Sequence, residues 1–121
     1  MNRVFIIAEA GVNHNGDINI ARRMVDEAVK AGADAVKFQT FKAESLVCKN
    51  ASKAEYQLGT TDKNETQFDM LKKLELTDEM HIQLMDYCKA KNIMFLSTPF
   101  DIGSLYYLVD HGLDIIKLPS G

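Results

Sequence analysis

The sequence predicts an α/β protein of successive βα units whose strands run parallel in one sheet. Three observations carry this reading. Short apolar runs without strict alternation fall at residues 4–8, 33–38, 93–96 and 113–118. Segments with helical apolar spacing lie between them. The stretch GADAVKF at 32–38 is echoed by GLDIIKL at 112–118, with Gly, Asp and Lys in the same register. Continuous apolar runs of this length suit parallel strands buried on both faces. A glycine stop and a buried strand belong to any αβ unit, but a lysine near the end of a buried strand does not. Repeated βα units with polar residues at matching strand ends favour a closed barrel over an open doubly wound sheet. The order is β-α-β-insert-α-β-α-β: the first four βα units of a (β/α)8 TIM-type barrel, with an insertion after the second strand.

Each helix has a start and a stop. Asp17 caps the first, Ala21, Met24, Val25 and Ala28 follow helical spacing, and Gly32 ends it. The second starts after Thr77, with Asp78 and Glu79 at its positive end. It buries Met80, Leu84, Tyr87 and Cys88 and carries Lys89 and Lys91 in its last turn. The third runs from about Asp101 through Leu105, Leu108 and Val109 to Gly112. The stretch 42–75 is too long for a plain βα connection. Phe68, Leu71 and Leu74 suggest a short helix inside it. It reads either as a lid or substrate-contacting loop or as a purely structural insertion.

Composition narrows the partners. A chain of 121 residues with 46% hydrophobic residues suffices for one domain with a real core. A net charge of −3 carries no basic excess and argues against nucleic acid, while local lysines can still bind a small anion. The first apolar run is too short for a signal peptide and leads into Glu9, and no stretch approaches a membrane span. The sequence therefore reads as cytoplasmic. Cys48 and Cys88 have no CxxC spacing and no histidine partner, so two free thiols are expected rather than a disulfide or a metal site.

The polar residues cluster at the strand ends. The first strand ends in Glu9, the second in Lys37 and Gln39, the third in Ser97 and Thr98, and the fourth in Lys117, followed by Ser120. Strand alternation points Lys37 and Gln39 to one side. In a barrel these ends converge on one mouth. Two lysines, several hydroxyls, the Gly121 amide and one carboxylate suit a small, multiply anionic ligand, with the acid available to move a proton. The plainer alternative is that Glu9 pairs with Lys37 or Lys117 as an ordinary ion pair. His14, in the Asn13-His14-Asn15-Gly16 loop, either touches substrate or serves the turn. His81 and His111 read as surface or packing residues. Met70, Met80, Met85 and Met94 read as core filling, and Lys72, Lys73 and Glu75 as a solvated face.

These strand-end motifs carry a likeness. FIIAEAGVNHNG at 5–16 resembles the opening motif of the sialic acid (N-acetylneuraminate) synthase family. AGADAVKFQT at 31–40, FLSTPFD at 95–101 and IKLPSG at 116–121 are similar to its next three strand-end motifs, in the same order. Legionaminic and pseudaminic acid synthases resemble the pattern too. The likeness implies the N-terminal half of a (β/α)8 barrel over residues 1–121. The rest of the barrel and a C-terminal antifreeze-like domain, in a homodimer, would lie outside this sequence. It implies condensation of phosphoenolpyruvate with the aldehyde of N-acetylmannosamine or a related amino sugar, breaking the phosphoenolpyruvate C–O bond as water adds at C2 and phosphate leaves. By position, Lys37, Thr98, Lys117 and Ser120 would hold phosphoenolpyruvate, with Glu9 as the acid/base or substrate-orienting carboxylate and Gln39 and Asn13 as neighbours. A divalent metal, Mn2+ or Mg2+, would polarise the aldehyde, with no ligand on this chain. A half barrel leaves strand edges unpaired. The 121-residue chain alone is therefore expected to lack synthase activity, as a fragment or a self-associating species. Two other readings are a Schiff-base aldolase using Lys37 or Lys117 and a non-catalytic, anion-binding fragment.

Overall fold

The computed structural model describes residues 3–47 and 66–120. Cys48, Gly121 and the middle of the insert lie outside the described residues. The elements in chain order are β1 (Ile7–Gly11), α1 (Ile18–Lys30), β2 (Ala35–Thr40), α2 (Ala43–Leu46), α3 (Gln67–Leu74), α4 (Asp78–Ala90), β3 (Met94–Pro99) and α5 (Ile102–Asp110). The strands form one parallel sheet in the order β1-β2-β3.

The helices begin where side chains satisfy their free amides. Asp17 accepts from the Asn19 and Ile20 amides, Thr77 from Met80 and Asp101 from Ser104. Thr66 and Asp69 form a reciprocal capping box on α3. The short helix expected from Phe68, Leu71 and Leu74 is this one. One face of the sheet packs on the helices. Val36, Phe38 and Phe95 meet Ala21, Val25 and Ala28 of α1, Leu84 and Cys88 of α4, and Leu108 of α5. Phe38 and Phe95 stack with ring centroids 5.7 Å apart, worth about 1 kcal/mol beyond the area they bury. Burial pushes the Cys88 thiol up to about 12, so it is an inert core group at neutral pH.

The structure corrects the expected strands in two ways. All three sit further along the chain than the apolar runs suggested. Residues 4–6 precede the ladder, which begins at Ile7 beside Ala35, and the Asp34 and Ala35 amides bond the Ile6 carbonyl at 2.8 and 3.2 Å just before it. At the other ends the ladder runs on through Gln39, Thr40, Ser97 and Thr98, whose polarity hid them. Second, among the described residues the sheet has three strands, not the four expected. Residues 113–118 are not paired into it. Leu113 and Ile116 pack against the core, but Ile115 and Leu118 are 51% and 67% exposed, so this run lacks the two-faced burial a parallel strand requires. The fold is α/β with parallel strands.

Two readings of side chains also change. Met94 is exposed, not core. Glu75 is buried, not part of a solvated face: it accepts from the Ala43 amide at 2.8 Å and from Lys72 at 3.1 Å. Lys72 also reaches Glu44 at 3.0 Å, so the two ends of the insert are tied together at its base. The Gly16 turn is held even more closely. Gly16 has φ +75°, and a Cβ there would lie 2.3 Å from the Lys73 carbonyl oxygen. Gly16→Ala is expected to cost on the order of 3 kcal/mol, from left-handed strain plus a backbone clash. Gly32→Ala, where φ is +80° but nothing lies within 4 Å, should cost only about 1 kcal/mol. Urea unfolding midpoints of the two variants would check the difference.

Candidate functional site

Ladder register decides which polar residues share a face. Glu9 is the Cα partner of Lys37, and Gln39 is the partner of Thr98. Partners in a parallel ladder point the same way and successive residues alternate. Glu9, Lys37, Gln39 and Thr98 therefore stand on the face away from the helical core, Glu9 and Lys37 at mid-strand and Gln39 and Thr98 near the C-terminal end of the sheet. Lys37 Nζ lies 3.4 Å from Glu9 Oε2. The ion pair anticipated as the plainer role of Glu9 is present.

A β-bulge aims the Glu9 carboxylate. Pairing shifts between Glu9 and Gly11, leaving Ala10 as the extra residue. Gly11 takes φ +57° and donates its amide to Glu9 Oε1 at 3.0 Å. An atom at the Gly11 Cβ position would be 3.7 Å from Gln39 Nε2 and 3.9 Å from Glu9 Oε1. The Glu9 and Gln39 heads thus both lie beside Gly11, where the left-handed φ rather than lack of room favours glycine. The Glu9 side chain is 54% exposed while that of Lys37 is only 16% exposed, so the ammonium is the more enclosed partner. Thr98 is buried beside them.

The other expected residues fall elsewhere. Asn13 follows β1 and lines, with Glu9, Arg23 and Glu27, a groove of about 650 Å³ between β1 and α1. Lys117 and Ser120 lie in the unpaired segment, where Lys117 donates to Ser120 Oγ at 3.3 Å. The structure joins Glu9, Lys37, Gln39 and Thr98, and leaves Lys117 and Ser120 as a second, separate pair. His14 serves the turn: it is buried, and its Nδ1 accepts from the Gly16 amide at 2.8 Å. Among the described residues, no group of three or more His, Cys, Asp or Glu side chains is placed to hold a metal ion. None of the described helices is long and apolar enough to cross a membrane.

Sequence reasoning missed a buried polar chain on the opposite face. His81 Nε2 lies 2.8 Å from Thr40 Oγ1, Thr40 Oγ1 lies 2.6 Å from Ser97 Oγ, and His81 Nδ1 lies 2.9 Å from the Thr77 carbonyl. All three side chains are buried. The signal was present in the spacing, since His81, Leu84 and Cys88 share the buried stripe of α4.

Comparisons with known proteins show the family. The sequence profile of the NeuB family matches residues 24–121. This chain belongs to the NeuB family. It is 51% identical to the N,N'-diacetyllegionaminic acid synthase of Campylobacter jejuni, covering 100% of this chain and 36% of that protein. The Legionella pneumophila synthase of the same name is also 51% identical, over 97% of this chain and 33% of its own length. Among solved structures, the N-acetylneuraminic acid synthetase of Leptospira borgpetersenii, in complex with citrate, superposes with a TM-score of 0.77 at 38% identity. That match covers 97% of this chain and 36% of the synthetase. The chain thus spans about a third of the length of the curated relatives it matches.

Both buried histidines make stability depend on pH. Burial holds His14 below the ordinary imidazole value, and the neighbouring His81 adds to this. Burial also holds His81 low. Its bond to the Thr77 carbonyl and the charge of Asp78 oppose the shift, while Lys42 and His111 reinforce it. A depressed folded value means that protonation favours the unfolded chain. The stabilisation is full above the unfolded histidine value, about 6.5, and is lost as pH falls through the lower folded values. The thermal midpoint should therefore decline between about pH 7 and pH 5, before most carboxylates titrate near 4. A differential scan at each pH would show it, and a flat profile would contradict the assignment.

Proposed function

We propose that this NeuB-family chain supplies the phosphoenolpyruvate side of the active site in an enzyme that condenses phosphoenolpyruvate with an amino sugar. The product would be a nine-carbon nonulosonic acid. The observation that supports this most is that Glu9, Lys37, Gln39 and Thr98 share one sheet face, running from mid-strand to its C-terminal end. That is the end at which α/β barrels place their chemistry. The identity to two N,N'-diacetyllegionaminic acid synthases favours an acceptor carrying two acetamido groups over N-acetylmannosamine.

The chemistry follows from the ion pair. The pair is long at 3.4 Å, and its carboxylate is solvent-accessible while its ammonium is largely enclosed, so an incoming anion can compete with Glu9 for Lys37. An arriving phosphate or carboxylate oxygen takes Lys37 from Glu9, and the Thr98 hydroxyl donates to the same anion. Lys117 and Ser120 close on the ligand from their own segment. Glu9, still held by the Gly11 amide, is then free of its cation and turned toward the reacting centre. There it orients the acceptor or moves a proton as the new C–C bond forms, water adds at C2 and phosphate departs. A divalent metal would polarise the aldehyde when bound. The described residues offer no group of three or more ligating side chains for one. The rest of the barrel, the homodimer and a cytoplasmic setting are part of the same proposal.

Calorimetric titration with phosphoenolpyruvate tests the site. Lys37→Ala and Lys117→Ala should each weaken binding by roughly tenfold, as expected for removing one charge-assisted contact. Equal affinity in wild type and both variants would count against the proposal. The 121-residue chain itself is expected to release no phosphate from phosphoenolpyruvate plus an amino sugar, and steady release would show that it carries a complete site.

A further inference from the structure

Behind the candidate site lies the buried chain of His81, Thr40 and Ser97, and its hydrogen bonds have a single direction. The Thr77 carbonyl can only accept, so His81 Nδ1 carries the proton facing it at 2.9 Å. In the neutral ring Nε2 is then a lone pair, and the Thr40 hydroxyl 2.8 Å away must donate to it. With its proton committed, Thr40 Oγ1 accepts from Ser97 Oγ at 2.6 Å. The order is Ser97 to Thr40 to His81 to the Thr77 carbonyl, ending at the cap of α4. The ring is held edge-on to Phe95 and Tyr107, with centroids 6.5 and 5.2 Å away.

The chain sits directly behind the site. Thr40 follows Gln39, and Ser97 precedes Thr98. Register puts Gln39 and Thr98 side by side on the open face and turns Thr40 and Ser97 toward the helices. A hydroxyl pair that ties the strand ends on one face therefore fixes the spacing of the two residues on the other. Three apolar side chains would fill this space without the demand that every polar atom be satisfied. The hydroxyls and the imidazole add direction, which simple packing does not.

We propose that His81 is a positioning residue: acting through Thr40 and Ser97, it sets the strand ends that place Gln39 and Thr98 for the anionic ligand. The ligand part of this inference rests on the function proposed above, while the positioning part does not.

The test pairs ligand affinity with a ligand-free readout on the 121-residue chain. His81→Leu removes the acceptor at similar size, and His81→Gln offers a carbonyl oxygen to Thr40. Cys88→Ala, on the same buried stripe of α4 but without a bond to the strand ends, serves as the control for lost stability. In proton–nitrogen NMR spectra, His81→Leu should move the Gln39 side-chain amide and the Thr98 backbone amide, Cys88→Ala should leave both, and His81→Gln should restore them. Phosphoenolpyruvate affinity, measured below each melting temperature, should fall on the order of tenfold in His81→Leu, return in His81→Gln and be unchanged in Cys88→Ala. If His81→Leu does not fold, Thr40→Val with rescue of affinity by Thr40→Ser replaces it. The inference is overturned if the Gln39 and Thr98 signals respond to His81→Leu no more than to Cys88→Ala, or if Thr40→Val binds as wild type. Where wild type shows no binding of phosphoenolpyruvate but the signals follow this pattern, the functional reading fails and the positioning role stands.

Discussion

Everything at the candidate site depends on the register between β2 and β3. In a ladder of period two, a slip by one residue turns every side chain to the opposite face. Here that slip would bury Lys37 and Gln39 against the helices and push Phe38 and Thr40 into the open. The register is fixed from the helix side, by the Phe38–Phe95 stack and by the hydroxyl pair of Thr40 and Ser97. Apolar contact supplies most of the free energy and the polar pair supplies direction. The open face then receives Glu9, Lys37, Gln39 and Thr98 as a consequence of core packing on the other face.

The insert is joined to this frame by charge. Glu75 is a buried carboxylate, which would be costly alone. It is compensated by the Ala43 amide at the start of α2 and by Lys72, whose ammonium also reaches Glu44. These bonds fasten α3 to α2. The approach of Gly16 to the Lys73 carbonyl then fastens α3 to the turn after β1. The turn that follows Glu9 and the described ends of the insert, α2 and α3, thus pack together.

Much of this was legible from the sequence. The helix caps at Asp17, Thr77 and Asp101 follow from local chemistry and stand where composition places them. The strand-end polar residues were recognised, and the shared side of Lys37 and Gln39 follows from alternation. The strand limits were not legible, for a related reason. Apolarity marks a strand only where its side chains are buried among apolar neighbours, and at Gln39, Thr40, Ser97 and Thr98 the ladder continues under polar side chains. Glu75 was misjudged and His81 was left open between surface and packing, because one charged or polar residue looks the same at a surface and in a core. What decides is a partner distant in the chain, such as Ala43 for Glu75 and Thr40 for His81.

The echoed segments show how far local pattern can go. GADAVKF and GLDIIKL share the glycine stop, the aspartate and the lysine, yet only the first lies in the ladder. Residues 35–38 are flanked by β1 and β3, with Ala35, Val36 and Phe38 buried. Residues 113–118 touch the core through Leu113 and Ile116, while Ile115 and Leu118 remain exposed. Strand propensity expresses the fit to a half-built surface more than any preference of the backbone, so a similar string takes its state from its neighbours. The two lysines inherit that difference. Lys37 is held beside Glu9 by two flanking strands, whereas Lys117 keeps only the local bond to Ser120. The position of Lys117 thus follows from the missing strand pairing of residues 113–118, as that of Lys37 follows from the ladder on both its sides.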